Sequence, residues 1–395
     1  MSEQKQQVFI VGSKGIPSKY GGFESFVEYL TRYKKSQKIQ YHVSCAVEPE
    51  DWTGKKEIIY NDARCFHIKW RKLGPARAIF YDTDAIKECI QYMKANPTER
   101  PILYILACRI GPFMKHYVKQ VHKLGGIVYV NPDGHEWKRA KWSAPVRKYW
   151  KYSERKMVQH ADLLICDSKA IEKYIQNDYA KYQPKTTFIA YGSETVKSTL
   201  EDDSKELQDW YREKSVTAGN YYLVVGRFVP ENNYETMIRE FMSSDTEKDL
   251  VLISNVEKNA FYEHLLSQTH MDMDKRIKFV GTVYQQELLK KIRENAYGYL
   301  HGHEVGGTNP SLLEALGSTD VNMLLDVGFN HEVGEDGAVY WTKETGSLSG
   351  LIHNVDCMTK DEITELSQRA KSRIDKEYSW DKIIHDYEEI FLKEE

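Results

Sequence analysis

Along the chain, short apolar runs alternate with stretches in which apolar residues recur every three or four positions. Val8–Gly12, Tyr41–Val47, Cys65–Trp70, Ile102–Cys108, Ile127–Asn131 and Leu163–Asp167 read as strands, and Thr186–Ala190 closes the series. Helical spacing fills most of the gaps: Phe23, Phe26, Val27 and Leu30, then Ala78–Met93, Phe113–Leu124 and Lys169–Tyr174. The rhythm then restarts. Strands are expected at Tyr221–Val225, Leu250–Ser254, Ile277–Gly281, Gly298–Leu300 and Asn322–Asp326. Helices are expected at Tyr234–Met242, Asn259–Gln268, Gln285–Asn295, Asp361–Arg373 and Trp380–Leu392. Strands alternating with helices predict parallel sheets covered on both faces, an α/β fold. Tyr191–Ser204 is polar and poor in apolar residues, which suits a hinge. The pattern therefore predicts two tandem doubly wound, Rossmann-like domains, residues 1–195 and 196–376, facing a central cleft. A last helix, within 377–395, is expected to return to the first domain.

Composition changes this picture little. Hydrophobic residues make up 41% and charged residues 29% of the 395, as in ordinary globular proteins. No apolar run is long enough for a bilayer span, and the first residues show no signal-peptide pattern. The six cysteines form no Cys-x-x-Cys pair, and four lie in apolar segments. That favours reduced buried thiols in a cytoplasmic protein over a structural zinc. Charge is more informative. Residues 1–196 carry 33 Lys and Arg against 20 Asp and Glu, and residues 197–395 carry 22 against 38. The basic half is expected to meet phosphate, anionic lipid or nucleic acid.

Chemistry concentrates at the strand ends. Gly12-Ser-Lys14-Gly15 through Gly21-Gly22 is a glycine-rich loop after the first strand, where open α/β sheets bind ligands. It is neither G-x-G-x-x-G nor a P-loop. Asn131-Pro-Asp133-Gly-His135-Glu-Trp137 sends several ionisable groups from one strand end. Asp133 or His135 has the right chemistry for a general base, and Asp133-Gly134 would also serve as a plain turn. Asp167 either caps the helix that follows it or lines the cleft. Trp137–Lys156 holds eight Lys and Arg, one acid (Glu154) and five aromatics. That composition fits an anionic membrane surface, single-stranded nucleic acid, or a helix whose aromatics face the core. In the second half, Arg227 follows a strand in Gly226-Arg227-Phe-Val-Pro-Glu-Asn232-Asn233, and a guanidinium there can hold a diphosphate. Asn232 or Asn233 is placed to cap the next helix.

Tyr299–Gly317 is the most telling stretch. A strand ends at Leu300, and His301–Thr308 forms a glycine-rich turn. Asn309 then caps a helix that starts at Pro310. The free amides of that first turn, with Gly306, Gly307, Thr308 and Asn309, suit an anion. Glu314 lies one turn further in, within reach of a nucleotide sugar.

Together these four motifs resemble retaining GT-B glycosyltransferases of family 4, in the branch of bacterial, streptococcal-type rhamnosyltransferases of cell-wall and capsule polysaccharide synthesis. The resemblance implies acceptor binding in the first domain and nucleotide-sugar binding in the second. It assigns Arg227 to the diphosphate and Glu314 to the ribose hydroxyls. Two departures stand out. The family's first motif Glu would fall at Gly306, with Glu304 two residues early, and its usual Lys would fall at Asn232. The implied donor is dTDP-rhamnose, with UDP-glucose or UDP-GlcNAc as alternatives. The implied acceptor is a lipid-diphosphate-linked sugar at the inner face of the cell membrane. Retention by front-face attack needs no enzymic nucleophile. It needs register and a stabilised leaving diphosphate, for which Arg227, Lys14 and the glycine loops are candidates. No metal is expected. A GT-B-like epimerase would leave the basic aromatic stretch without a role. A dehydrogenase would want G-x-G-x-x-G. A nucleic-acid binder would not want so acidic a second half.

Overall fold

The structure, a computed structural model, describes residues 4–393 apart from 19, 20, 140, 141 and 306. It divides into two compact units. One runs to Gly192 and resumes at Trp380; the other is Ser193–Ser379. The chain therefore passes between the units twice.

The first unit holds β1 (Gln6–Val11), β2 (Ile39–Val47), β3 (Glu57–Tyr60), β4 (Ala63–Lys69), β5 (Ile102–Leu106), β6 (Ile127–Asn131), β7 (Leu163–Cys166) and β8 (Thr186–Phe188). Their order is β3-β4-β2-β1-β5-β6-β7-β8. All pairings are parallel except β3 with β4. The sequence pattern had no place for β3. It is an edge hairpin strand whose Glu57 and Ile59 are exposed, so it leaves no buried apolar run to detect. The inner strands are buried on both faces, which is why they read as unbroken apolar runs. Phe9, Val11, Leu103, Ile105, Val128 and Val130 pack one face. On the other, α1 (Gly22–Arg32) and the chain's last helix, α14 (Trp380–Leu392), bring Phe26, Tyr387 and Phe391 against Tyr41 and Tyr104. Glu388 of that last helix accepts hydrogen bonds from the amides of Lys35 and Ser36.

The second unit holds β9 (Tyr221–Val225), β10 (Asp249–Ile253), β11 (Ile277–Gly281), β12 (Gly298–His301), β13 (Asn322–Leu325) and β14 (Val339–Trp341). Their order is β11-β10-β9-β12-β13-β14, all parallel. Its core lies in two layers. Tyr222, Val224, Leu250 and Leu252 face one; Tyr221, Leu223, Val251 and Ile253 face the other. That is the two-residue alternation of strands covered on both sides. The edge strand β14 and the helices Lys205–Lys214 and Ser347–Asp356 were not expected. Among the described residues, no helix is long and apolar enough to cross a membrane.

Candidate functional site

Each sheet has one place where the strand order reverses, and ligands of open α/β sheets bind outside the strand ends there. In the second unit this is the gap between β9 and β12. The loop after β9 carries Arg227; the loop after β12 leads into α10 (Pro310–Ser318). The two loops touch closely. A Cβ on Gly302 would stand 2.4 Å from the Asn232 carbonyl oxygen, so only glycine fits there. Asn233 Nδ2 donates to the Gly302 carbonyl at 2.8 Å, and the Glu304 amide to the Glu231 carbonyl at 3.1 Å.

Arg227 is exposed and forms no ion pair among the described residues. Asn232 does not reach outward in place of a lysine. Its amide donates to the Arg227 carbonyl at 2.7 Å, and its oxygen lies 2.8 Å from His303 Nδ1. Asn233 occupies the capping position before the next helix but makes no side-chain cap: its backbone is left-handed, with φ of 54°, and its side-chain NH2 donates to Gly302. Asn309 does cap α10, accepting from the Ser311 amide at 2.9 Å with Pro310 in the first turn. Thr308 is buried in the same loop beside Gly307; Gly306 lies outside the described residues.

Glu314 sits one turn into α10 with its side chain 42% exposed. Its Oε2 is 2.6 Å from Nη2 of Arg293, whose own side chain is only 5% exposed. Arg293 also donates to Ser311 Oγ at 3.3 Å, and Ser311 Oγ lies 3.1 Å from Tyr299 OH. The carboxylate is thus held from behind by a buried cation while one edge stays open. Arg293 lies in an ordinary amphipathic helix, α9 (Gln286–Glu294), so spacing alone does not mark it. Beneath the loop, His301 is buried, and desolvation pushes its imidazole down to about 3.

In the first unit the order reverses between β1 and β5. Gly12 follows β1 with φ +102°, and a Cβ on it would stand 2.2 Å from the Leu106 carbonyl oxygen. The loop differs from a phosphate cradle in one respect. The Lys14 amide donates to Glu24 Oε1 at 2.7 Å, and the Glu24 carboxylate packs where a Cβ on Gly21 would stand. A carboxylate therefore occupies the turn read as phosphate-binding. Lys14 and Gly22 are exposed, and Gly15 is buried against Cys45. From the β5 side comes Arg109, which donates to the Gly12 carbonyl at 2.8 Å and pairs with fully buried Asp82 at 3.1 Å. Desolvation opposes the Arg109 charge, but Asp82 outweighs it and raises the pKa. Glu24 and Arg109 were not singled out in sequence, although Glu24 closes the glycine-rich loop and Arg109 follows a strand, because nothing local shows which group each side chain meets.

At the end of β6, Asp133 and His135 both take left-handed backbone, with φ of 56° and 46°. The Asp133 amide donates to Asn131 Oδ1 at 2.8 Å, the local bond that lets such a residue turn. Burial raises the Asp133 pKa; Arg139 opposes this and Glu136 adds to it. His135 packs its ring 4.1 Å from that of Tyr174 and is lowered to about 4 by desolvation, then by Lys138 and Lys151. It is a neutral, packed imidazole near neutral pH. Asp167 is buried but does not cap the helix Lys169–Asp178. Ser168 does, accepting from the Ile171 amide at 3.2 Å. The reason is where the helix starts: its first residue is Lys169, so Ser168 and not Asp167 stands at the cap.

Trp137–Lys156 splits between a short turn at Glu136–Lys138 and α4 (Ala144–His160). The helix buries Ser153, Glu154, Met157 and Val158. Its aromatics are not core residues: Tyr149 and Trp150 are half-buried, and Tyr152 is exposed. Among the described residues, no group of three or more His, Cys, Asp or Glu side chains converges to hold a metal.

A model of a family described as a domain of unknown function, DUF1972, matches residues 5–194. No curated protein matches the chain. Solved structures match it along its whole length. Sucrose-phosphate synthase from Thermosynechococcus elongatus is similar at 14% identity and TM-score 0.75, covering 98% of both chains. OtsA in its apo form is similar at 12% identity and TM-score 0.75, covering 99% of this chain and 100% of that one. HepE from Anabaena, in complex with UDP, is similar at 13% identity and TM-score 0.70, covering 98% and 99%. The likeness, with the two sheets, defines the fold as GT-B: an α/β chain of two Rossmann-like units in tandem.

Proposed function

We propose that this chain is a retaining glycosyltransferase that holds a nucleotide sugar in its second unit. The observation that carries the reading is the β9/β12 switch point. There Arg227, the capped N-terminus of α10 and the Arg293-braced Glu314 leave from adjacent strand ends. An exposed guanidinium and the positive end of the α10 dipole suit a leaving diphosphate; an open-edged carboxylate suits ribose hydroxyls. In the first unit, Asp133 is the residue placed to take the proton of an attacking hydroxyl, because burial brings its pKa towards the working pH. The reading extends to L-rhamnose from dTDP-rhamnose, moved onto a lipid-diphosphate-linked sugar of cell-surface polysaccharide at the cytoplasmic face of the membrane. The four motifs and the exposed basic aromatic helix support it, and no metal is required by it. A second reading, a UDP-sugar donor, is favoured by neighbours crystallised with UDP, UDP-glucose and UDP-2-fluoro glucose. Incubation with dTDP-rhamnose, UDP-glucose and UDP-GlcNAc, with and without a lipid-diphosphate sugar, separates the two by product mass. No product from any donor would refute transfer.

A further inference from the structure

Trp137, Lys138, Arg147, Lys148 and Lys151 line a pocket of about 340 Å³ in the first unit. Trp137 forms its apolar wall, with Lys138 Nζ 5.2 Å and Lys151 Nζ 4.5 Å from the ring centre. The charge balance is unusual. Lys138, Arg147 and Lys148 are exposed and form no ion pair among the described residues. The neighbouring acids are committed elsewhere. Glu136 pairs with Arg139 at 2.6 Å. Glu154 is buried and accepts from Tyr174 OH at 2.5 Å and from Tyr179 OH. Lys151 alone is compensated, by Glu154 and Asp178 at 3.5 Å each. Three uncompensated cations around one small pocket cost self-repulsion unless an anion of matching charge enters.

We infer that this pocket binds a diphosphate group, with Lys138, Arg147 and Lys148 meeting its oxygens and Trp137 flanking the ester carbon. A diphosphate carries the two to three negative charges the cations call for, and Arg147 can grip two of its oxygens at once. A nucleic-acid strand would want a longer groove with several stacking rings; this pocket has one. The location gives the site a use. Trp137 is two residues from His135, whose ring it meets at 6.0 Å. A sugar carried on that diphosphate would therefore lie beside the Asp133–His135 turn. The inference does not rest on sugar transfer, since its test needs no donor.

The intact chain is titrated with inorganic pyrophosphate at about 0.15 M salt, followed by calorimetry. Binding should weaken at least tenfold in the double variant Arg147→Gln/Lys148→Gln. It should be unchanged in Lys119→Gln/Lys123→Gln, which alters exposed lysines on the helix Gly111–His122 and just after it. Both pairs are surface changes, and circular dichroism confirms the fold. Flotation on phosphatidylcholine vesicles, with and without phosphatidylglycerol, then identifies the source. If pyrophosphate releases the protein from anionic vesicles, the same residues hold the single phosphates of membrane headgroups, and the diphosphate inference is overturned. If vesicle binding persists while pyrophosphate stays bound, the pocket takes the diphosphate of a separate molecule. Absent pyrophosphate binding, or binding equal in both double variants, overturns the inference. So does a single-stranded oligonucleotide that binds more tightly through the same residues.

Discussion

At the scale of single residues, the candidate donor site turns on the Arg293–Glu314 pair. Glu314→Ala removes a hydrogen-bonded charge worth about 1.5–3 kcal/mol. Affinity for the nucleotide sugar should fall by roughly one to two orders of magnitude, and thermal stability should fall too, because the buried Arg293 loses its carboxylate partner; unaltered affinity in calorimetry would take Glu314 out of the site. Asp133→Asn keeps shape but removes the base. Transfer should slow by roughly 10²–10⁴-fold while donor affinity holds. Because burial raises Asp133, the acid limb of the wild-type pH–rate profile should lie above the ordinary aspartate range. That limb should vanish in the variant. Four imidazoles carry the opposite shift, and three of them carry it strongly. His42 and His301 are lowered to about 3 and His135 to about 4, each mainly by desolvation. Between those values and about 6.5 the unfolded chain binds protons that the native chain refuses. Their contribution to stability is complete above about pH 6.5 and is lost as pH falls towards 3. Urea midpoints should drop across that window, and NMR titration should find His42 and His301 still neutral at about pH 5.

At the scale of elements, both candidate sites depend on two adjacent strand ends coming close without side chains between them. Gly12 shows the requirement most strongly, with positive φ and the Leu106 carbonyl at contact. Gly12→Ala should destabilise by at least about 1–3 kcal/mol and disturb the Arg109–Asp82 pair beneath the loop. A urea midpoint within error of wild type would show that the loop can yield. Asn309→Ala should cost about 1 kcal/mol through the lost cap of α10. It should also weaken donor binding, since the cap fixes the helix end whose dipole is proposed to meet the diphosphate. Loss of stability without loss of affinity would assign the cap to folding alone.

At the scale of the whole molecule, the chain's last helix belongs to its first unit. Trp380, Ile383, Ile384, Tyr387 and Phe391 of α14 are buried, and burying each large apolar side chain contributes about 1.5–3 kcal/mol. Their sum rivals the whole stability of a typical domain, about 5–15 kcal/mol. A chain ending at Ser379 should therefore lose protected amides throughout the first sheet in hydrogen exchange, while β9–β14 keep theirs. Equal protection in both would show that α1 and the sheet suffice without α14.

The sequence by itself determined the two α/β series, because strands buried on both faces must be continuously apolar and the helices between them must be amphipathic. It also determined the Asn309–Pro310 helix start, because capping and proline placement are local chemistry. The edge strand β3 escaped it, since its apolar run, Ile58-Ile59-Tyr60, is short and neither alternates nor continues. Tertiary structure alone decided which side chains work in pairs. Arg293 behind Glu314, Asp82 behind Arg109 and Glu24 across the Lys14 amide are partners separated by helices or loops. Their Coulomb and hydrogen-bond energies exist only once the strands are in order. The same holds for the three bare cations around Trp137: their number is plain in the sequence, but that Glu154 turns inward to tyrosines and Glu136 pairs with Arg139 is a fact of packing.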